Sequence, residues 1–259
     1  MPRRWWAEYR TTEYAGIDPA RTIAILPTAA IEQHGPHLPV GVDAMINEGM
    51  LARLADRAPA DIDFRILPVQ SVGKSNEHLH APGTLTLDWQ IALNAWFEIG
   101  TSVARAGVRK IVIVNSHGGN LDLINVLARE LRVAANMLAV KCQWMSFGTP
   151  GGMVSEHERV HGIHGGDVET SLMLHLRPDL VDMDHAANFR STAETDAIKP
   201  TGLPSYGWIA SDLNDAGTVG DASMATAERG AAIAEHQVKG MIALLRDVQA
   251  FDLSRFDRD

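Results

Sequence analysis

Eight of the eleven histidines fall in four short segments: His34 and His37; His78 and His80; His117; and His157, His161 and His164. The first segment runs Glu32-Gln33-His34-Gly35-Pro36-His37-Leu38-Pro39-Val40-Gly41-Val42-Asp43. Its carboxylates and imidazoles are ligand types suited to Zn²⁺, Mn²⁺ or Fe²⁺. Alternate residues of an extended stretch point the same way, so Glu32 and His34 can face one cavity. The Gly and Pro residues then turn the chain back to Asp43. Taken alone, the same residues also describe a solvated loop that ends in a helix cap at Asp43.

Two further segments carry chemistry. Asn115-Ser116-His117-Gly118-Gly119-Asn120 places a histidine and two glycines between a buried apolar run and a helical pattern. Glycines there let a ligand approach the backbone, and the following helix start presents N–H groups. A tight strand-to-helix turn would use the same residues. The segment is neither a GxGxxG fingerprint nor a P-loop, which disfavours nucleotide binding. His164-Gly165-Gly166-Asp167-Val168-Glu169-Thr170-Ser171 pairs an acid–base group with a carboxylate at a helix start, where a carboxylate also suits the helix dipole. Just upstream, His157-Glu158-Arg159-Val160-His161 matches H-E-x-x-H, the single-zinc metallopeptidase pattern. That pattern needs a stable helix and a downstream ligand. Here Gly148, Gly151 and Gly152 precede it, Gly162 ends it, and His164 holds the glycine position of the extended motif.

The elements that must position these residues alternate in period. Thr22–Pro27, Phe64–Val69, Lys110–Asn115 and Ala139–Trp144 read as buried strands. Helical patterns run from Asp43 to about Ala58, Asp88 to Ala106, Leu121 to Ala135, Gly166 to Leu176, and Ser223 to Val248. The alternation predicts βαβ units: an α/β fold with a mostly parallel central sheet covered on both faces. Sites in such folds lie at the carboxyl ends of strands. Glu32–His34, Glu77-His78 and His117 all follow predicted strands. Residues 185–222, rich in Pro, Gly, Ser and Asp, read as a lid or interface loop inside one domain spanning 1–259.

Composition narrows the function classes. The chain has 23 Lys+Arg against 32 Asp+Glu, a net charge of −9, and no basic stripe, so nucleic-acid binding is not expected. One cysteine, Cys142, excludes an internal disulfide and a Cys-rich zinc site. No apolar stretch is long enough for a membrane span, and the aromatic N-terminus (Trp5, Trp6, Tyr9, Tyr14) does not resemble a signal peptide. A cytoplasmic protein is expected, and those aromatics suggest docking on a neighbouring subunit.

Five segments taken in order, EQHGPHLPVGVD, EHLHAPGTLTL, NSHGGN, HGGDVETS and GTVGDASMATAERG, resemble the creatininase (creatinine amidohydrolase) family from about Thr22 to Leu245. The resemblance implies a three-layer α/β/α sandwich, two divalent metal ions (Zn, Mn or Fe), and hexamers built from dimers. It also implies hydrolysis of C–N bonds other than peptide bonds, in small cyclic amides or formamides, through a bridging water activated by metal. Members include a pyrimidine formamide deformylase and a mycofactocin-maturation peptidase. Carried over, the metal ligands are Glu32, His34, the bridging Asp43 and His117. Creatininase has Tyr-Glu where this chain has Gly118-Gly119, and that glutamate is its fifth ligand. Glu169 is the expected substitute, with Gly118 and Gly119 at the substrate. His164 matches the family histidine that handles protons near substrate. The missing tyrosine, together with a family tryptophan that has no placed counterpart here, implies a substrate other than creatinine. Non-catalytic use of the fold as a metal-stabilised oligomer is the alternative outside enzymes.

Overall fold

The computed structural model describes residues 2–256. After a short helix α1 (Thr11–Tyr14), strand and helix alternate: β1 (Ile23–Thr28), α2 (Val42–Arg57), β2 (Phe64–Ile66), α3 (Trp89–Arg105), β3 (Lys110–Asn115), α4 (Leu121–Ala135) and β4 (Leu138–Gln143). The second half continues with α5 (Glu156–His161), α6 (Asp167–Leu176), β5 (Asn188–Phe189), α7 (Ala210–Leu213), β6 (Gly220–Asp221) and the long α8 (Ala227–Ala250).

The first four strands form one parallel sheet in the order β2-β1-β3-β4. Ile23 pairs with both Phe64 and Lys110, and Lys110 pairs with Leu138. Every residue of β1 and β3 is buried, as expected for central parallel strands covered on both faces. Alternate side chains separate into two cores. Ile23, Ile25, Val112 and Val114 pack with Met50, Leu54, Leu172, Val238 and Met241 from α2, α6 and α8. Ala24, Leu26, Ile111 and Ile113 pack with Trp96, Val103, Ile124 and Leu127 from α3 and α4. The period of two in the strands thus produces the three-layer α/β/α sandwich. The one charged strand residue fully buried in β3, Lys110, donates from Nζ to the carbonyls of Gln249 (2.7 Å) and Phe251 (2.9 Å), capping the end of α8.

Helix limits lie close to those read from sequence, and the departures have local causes. Asp88 caps α3 by accepting from Gln90 N at 2.8 Å. Helix α8 starts later than Ser223 because Thr226 caps it, its Oγ1 accepting from Arg229 N at 3.2 Å. Strand β2 ends at Ile66 rather than Val69, just ahead of Pro68, whose residue type has no backbone donor. The aromatic N-terminus packs within its own chain: Trp5 bridges to Ile66 at the sheet edge, and the Trp6 and Tyr14 rings lie 4.7 Å apart. Residues 185–222 are not a structureless loop. β5 and β6 pair antiparallel (Asn188 with Asp221), and Ala193, Leu213 and Val219 gather with Ile163 and Trp208. Two-residue strands carry no periodicity, so the sequence pattern could not reveal them. Among the described residues no helix is long and apolar enough to cross a membrane.

Candidate metal centre

The carboxyl ends of β1 and β3, the segment following β2, and the starts of α2 and α6 converge. The loop after β1 carries Glu32, Gln33 and His34, and is tied down by a bridge between Ile31 and Leu85. Asp43 is in the first turn of α2, one residue past its start, and makes no capping bond; Gly41 holds the cap position. Helix α2 is fixed there by buried Asn47, which donates to Thr28 O (3.0 Å) and accepts from Trp144 Nε1 (3.1 Å). Ser116 Oγ donates to Asp43 O at 2.8 Å. Asn120 donates to Ala29 O (3.0 Å) and Asn115 Oδ1 (3.1 Å) and accepts from Lys74 N (3.0 Å). These amides lock the three strand-end loops to each other.

Four buried groups meet in that frame: Glu32, His34, Asp43 and His117. His34 Nδ1 donates to Glu32 O at 2.9 Å, which leaves Nε2 facing Asp43 Oδ1 (3.7 Å) and Glu169 Oε2 (3.9 Å). His117 Nε2 donates to Lys74 O at 2.8 Å, so Nδ1 faces Glu32 Oε1 (3.1 Å) and Asp43 Oδ2 (3.5 Å). Asp43 therefore offers one oxygen to each histidine. His164 Nε2 donates to Gln33 O at 2.6 Å, and its Nδ1 lies 3.5 Å from Glu32 Oε1. The His164 ring sits 4.1 Å from that of His34 and 4.4 Å from that of His78.

Both Glu32 oxygens, His34 Nε2 and Asp43 Oδ2 are buried without a hydrogen-bond partner. Buried carboxylates without partners are costly. Lone pairs aimed at lone pairs across 3–4 Å gaps are an arrangement that cations satisfy. Three groups place ligand atoms within 4.8 Å of one another: Glu32, His34 and His164; Glu32, Glu77 and His117; and His34, Asp43 and Glu169. The donor set, its burial and its orphaned atoms all fit divalent cations.

Burial lowers the His117 and His34 pKa values, but facing carboxylates more than compensate: Glu32 holds His117 well above its ordinary value, and Asp43, then Glu169, raise His34 to about 9. Burial and neighbouring Asp43 push Glu169 to about 7 despite the opposing pull of His34. His164 is held well below its ordinary value by burial and by His34.

The six residues expected as metal ligands and acid–base group are thus brought together, while of the two glycines expected at the substrate Gly119 is walled in by Glu77, His117 and Lys74. Gly118 is open: a side chain there would meet nothing within 4 Å. The H-E-x-x-H segment forms a six-residue helix outside the cluster. His157 Nε2 faces Glu194 at 3.2 Å, and Glu158 accepts from Asp167 N (2.9 Å) and Asp221 N (2.7 Å). Glu158 is bonded to backbone N–H groups rather than aimed at a reactant. A Cβ at Gly162, Gly166 or Gly220 would stand within 2.8 Å of its carboxyl group. Sequence reasoning gave no role to Glu77, His78, Gln33, Asn47 or Asn120. Gln33 Nε2 donates to His78 Nδ1 at 2.7 Å and also to Gly217 O. Only the Glu77-His78 pair carried a signal, as a carboxylate beside an imidazole after a strand.

Comparison with known proteins places the chain in a family. The family model described as creatinine amidohydrolase matches residues 7–245. The creatinine amidohydrolase of Pseudomonas putida is 30% identical over 263 residues, covering 93% of this chain and 94% of that protein. The mycofactocin precursor peptide peptidase of Mycolicibacterium smegmatis is 30% identical over 220 residues, covering 84% and 82%. A solved creatininase with manganese superimposes with a TM-score of 0.76 at 26% identity, covering 96% of this chain and 100% of that one. The chain belongs to the creatininase (creatinine amidohydrolase) family of hydrolases.

Proposed function

We propose that this protein is a metal-dependent amidohydrolase that cleaves the C–N bond of a small cyclic amide or formamide other than creatinine. The observation that carries this reading is Asp43, whose two oxygens are divided between His34 and His117 among orphaned buried ligand atoms. One cation would be held by Glu32, Asp43 and His117, the other by His34, Asp43 and Glu169, in the Zn²⁺, Mn²⁺ or Fe²⁺ class. When bound, such ions supply Lewis acidity, lowering the pKa of water towards neutrality and polarising a carbonyl.

The chain's own residues do the rest. The Gln33 carbonyl fixes the proton of His164 on Nε2, leaving the Nδ1 lone pair turned inward. Nδ1 accepts the proton released as water oxygen bonds to the amide carbon. It returns that proton to the nitrogen as the C–N bond breaks, and Glu32 Oε1 at 3.5 Å steadies the transient imidazolium. Gly118 leaves room for substrate against the backbone beside His117, whereas the space at Gly119 is taken by Glu77, His117 and Lys74. A cavity of about 50 Å³ lies beside Glu169, lined by Ser116, Trp144, Met145 and Val168. A second cavity of about 200 Å³ is lined by His161, Ile163, Ser191, Ala193 and Lys199, and residues 185–222 complete the proposal as a lid or interface segment. A cytoplasmic homo-oligomer, hexameric as the family resemblance implies, completes the reading.

The test is metal content per chain in wild type, Asp43→Ala and His157→Ala, with hydrolysis of a panel of lactams and formamides. Two ions lost only with Asp43, together with C–N hydrolysis, are expected. One zinc lost only with His157 overturns the reading in favour of a single-zinc peptidase.

A further inference from the structure

Gly119 and Glu77 share one space. A Cβ built on Gly119 would stand 2.1 Å from Glu77 Oε1, 2.4 Å from His117 Nε2 and 2.5 Å from Lys74 O. Real Cβ contacts are never that short, so no side chain fits at 119 while Glu77 stays where it is. Glu77 arrives there from the segment after β2. Its Oε2 takes a salt bridge from Lys74 Nζ at 2.8 Å, which turns Oε1 towards His117 Nε2, 3.5 Å away. The Glu77 side chain is only 11% exposed and that of His117 4%, so the pair is largely shielded from water.

His117 uses its two nitrogens differently. Nε2–H points to Lys74 O and Glu77 Oε1, while Nδ1 points to Glu32 and Asp43. A ligating histidine usually has its second nitrogen fixed by a carbonyl or carboxylate, which locks the tautomer and raises the basicity of the ligating atom. We propose that Glu77 is the positioning carboxylate of His117, and that it tunes the affinity of the cation shared by Glu32, Asp43 and His117. Gly119 is then required because Glu77 fills the volume a side chain would occupy. This proposal rests on the two-cation reading above and adds an outer residue to one of its two sites. The site built from His34, Asp43 and Glu169 has no contact with Glu77 and is unaffected by its charge except at long range.

The experiment is a titration of metal-free protein with Mn²⁺ and with Zn²⁺, followed calorimetrically and by competition with a chelator. Wild type, Glu77→Gln and Gly119→Ala are compared, with circular dichroism of each metal-free form as a check on folding. Glu77→Gln keeps the shape and removes the charge. One of the two binding events should weaken 10- to 100-fold, the range for lost outer partners of metal ligands, while the other stays as in wild type. Gly119→Ala should weaken the same event by displacing Glu77 and His117. Unchanged affinity for both ions in Glu77→Gln overturns the proposal and leaves the two-cation reading standing. Equal loss of both events also overturns it, since Glu77 would then act on the fold as a whole. Wild type that binds no ion overturns the underlying reading itself.

Discussion

His34 Nε2 faces Asp43 Oδ1 across 3.7 Å, too far for a hydrogen bond and too close for an intervening water. Both groups are buried, and the His34 ring is held in place from behind by the Glu32 carbonyl. The pair is preorganised around a gap the size of an ion. Asp43→Asn keeps the side-chain volume and removes the charge common to both proposed sites. It is expected to strip both ions and abolish hydrolysis together. Elemental analysis of purified variant protein checks this; two retained ions would count against a bridging role.

His157 and His161 are expected to be dispensable. The His157 side chain is 41% exposed and faces Glu194 rather than the cluster. Ala at either position should leave metal content unchanged and shift stability by no more than about 0.5 kcal/mol, as for most surface changes. Loss of metal on either substitution would restore the H-E-x-x-H reading.

Asn47 carries a structural load at the centre of the molecule. Asn47→Ala leaves Trp144 Nε1 without its partner in a buried place and removes one of the donors to Thr28 O, which keeps Ser116 N at 3.1 Å. The expected cost is about 1–3 kcal/mol, read from urea unfolding of the metal-free protein. Because Asp43 lies one turn earlier on the same helix, the variant should also bind metal more weakly. A variant as stable as wild type would show that water replaces the amide without loss.

Glu158 should give folding stability a pH dependence of unusual sign for a carboxylate. Burial raises its pKa, outweighing the N–H groups of Asp221 and Asp167 that pull it down. A raised folded-state value means that the stability linked to its protonation is complete below the unfolded value of about 4.3. It is lost as pH climbs through the folded value. Against the non-titrating Glu158→Gln, wild type should therefore lose relative stability as pH rises from about 4.3 through the raised folded value. A difference between the two that is constant over that range would exclude the shift.

Much of the fold was legible because its signals are local. The unbroken apolar run Ile111–Val114 within Lys110–Asn115 marks a strand buried on both faces, and α4 spans the Leu121–Ala135 range its periodicity predicts. Glu32, His34, His117, His164 and Glu169 were legible as ligand-type residues just after strands or at helix starts. Asn47, Asn115 and Asn120 were not, because an amide gains its role only from which carbonyls the tertiary fold sets before it. Glu77 was visible as half of a pair, but its relation to Gly119 spans a distance in sequence that no pattern reports. Glu158 was misleading for the opposite reason: its motif is local and common, while the three glycines around its carboxylate come from separate segments.

The pairing of β5 with β6 joins the two ends of the 185–222 excursion close to His164, whose own backbone bridges to Val219. What lies between those ends also reaches back: at the centre Gly217 O accepts from Gln33 and Thr218 Oγ1 donates to His164 O, and outside it Glu194 faces His157. The excursion is therefore clamped to the groups of the centre as well as at its own ends, and a substitution inside it is transmitted to Gln33 and His164 through those two hydrogen bonds.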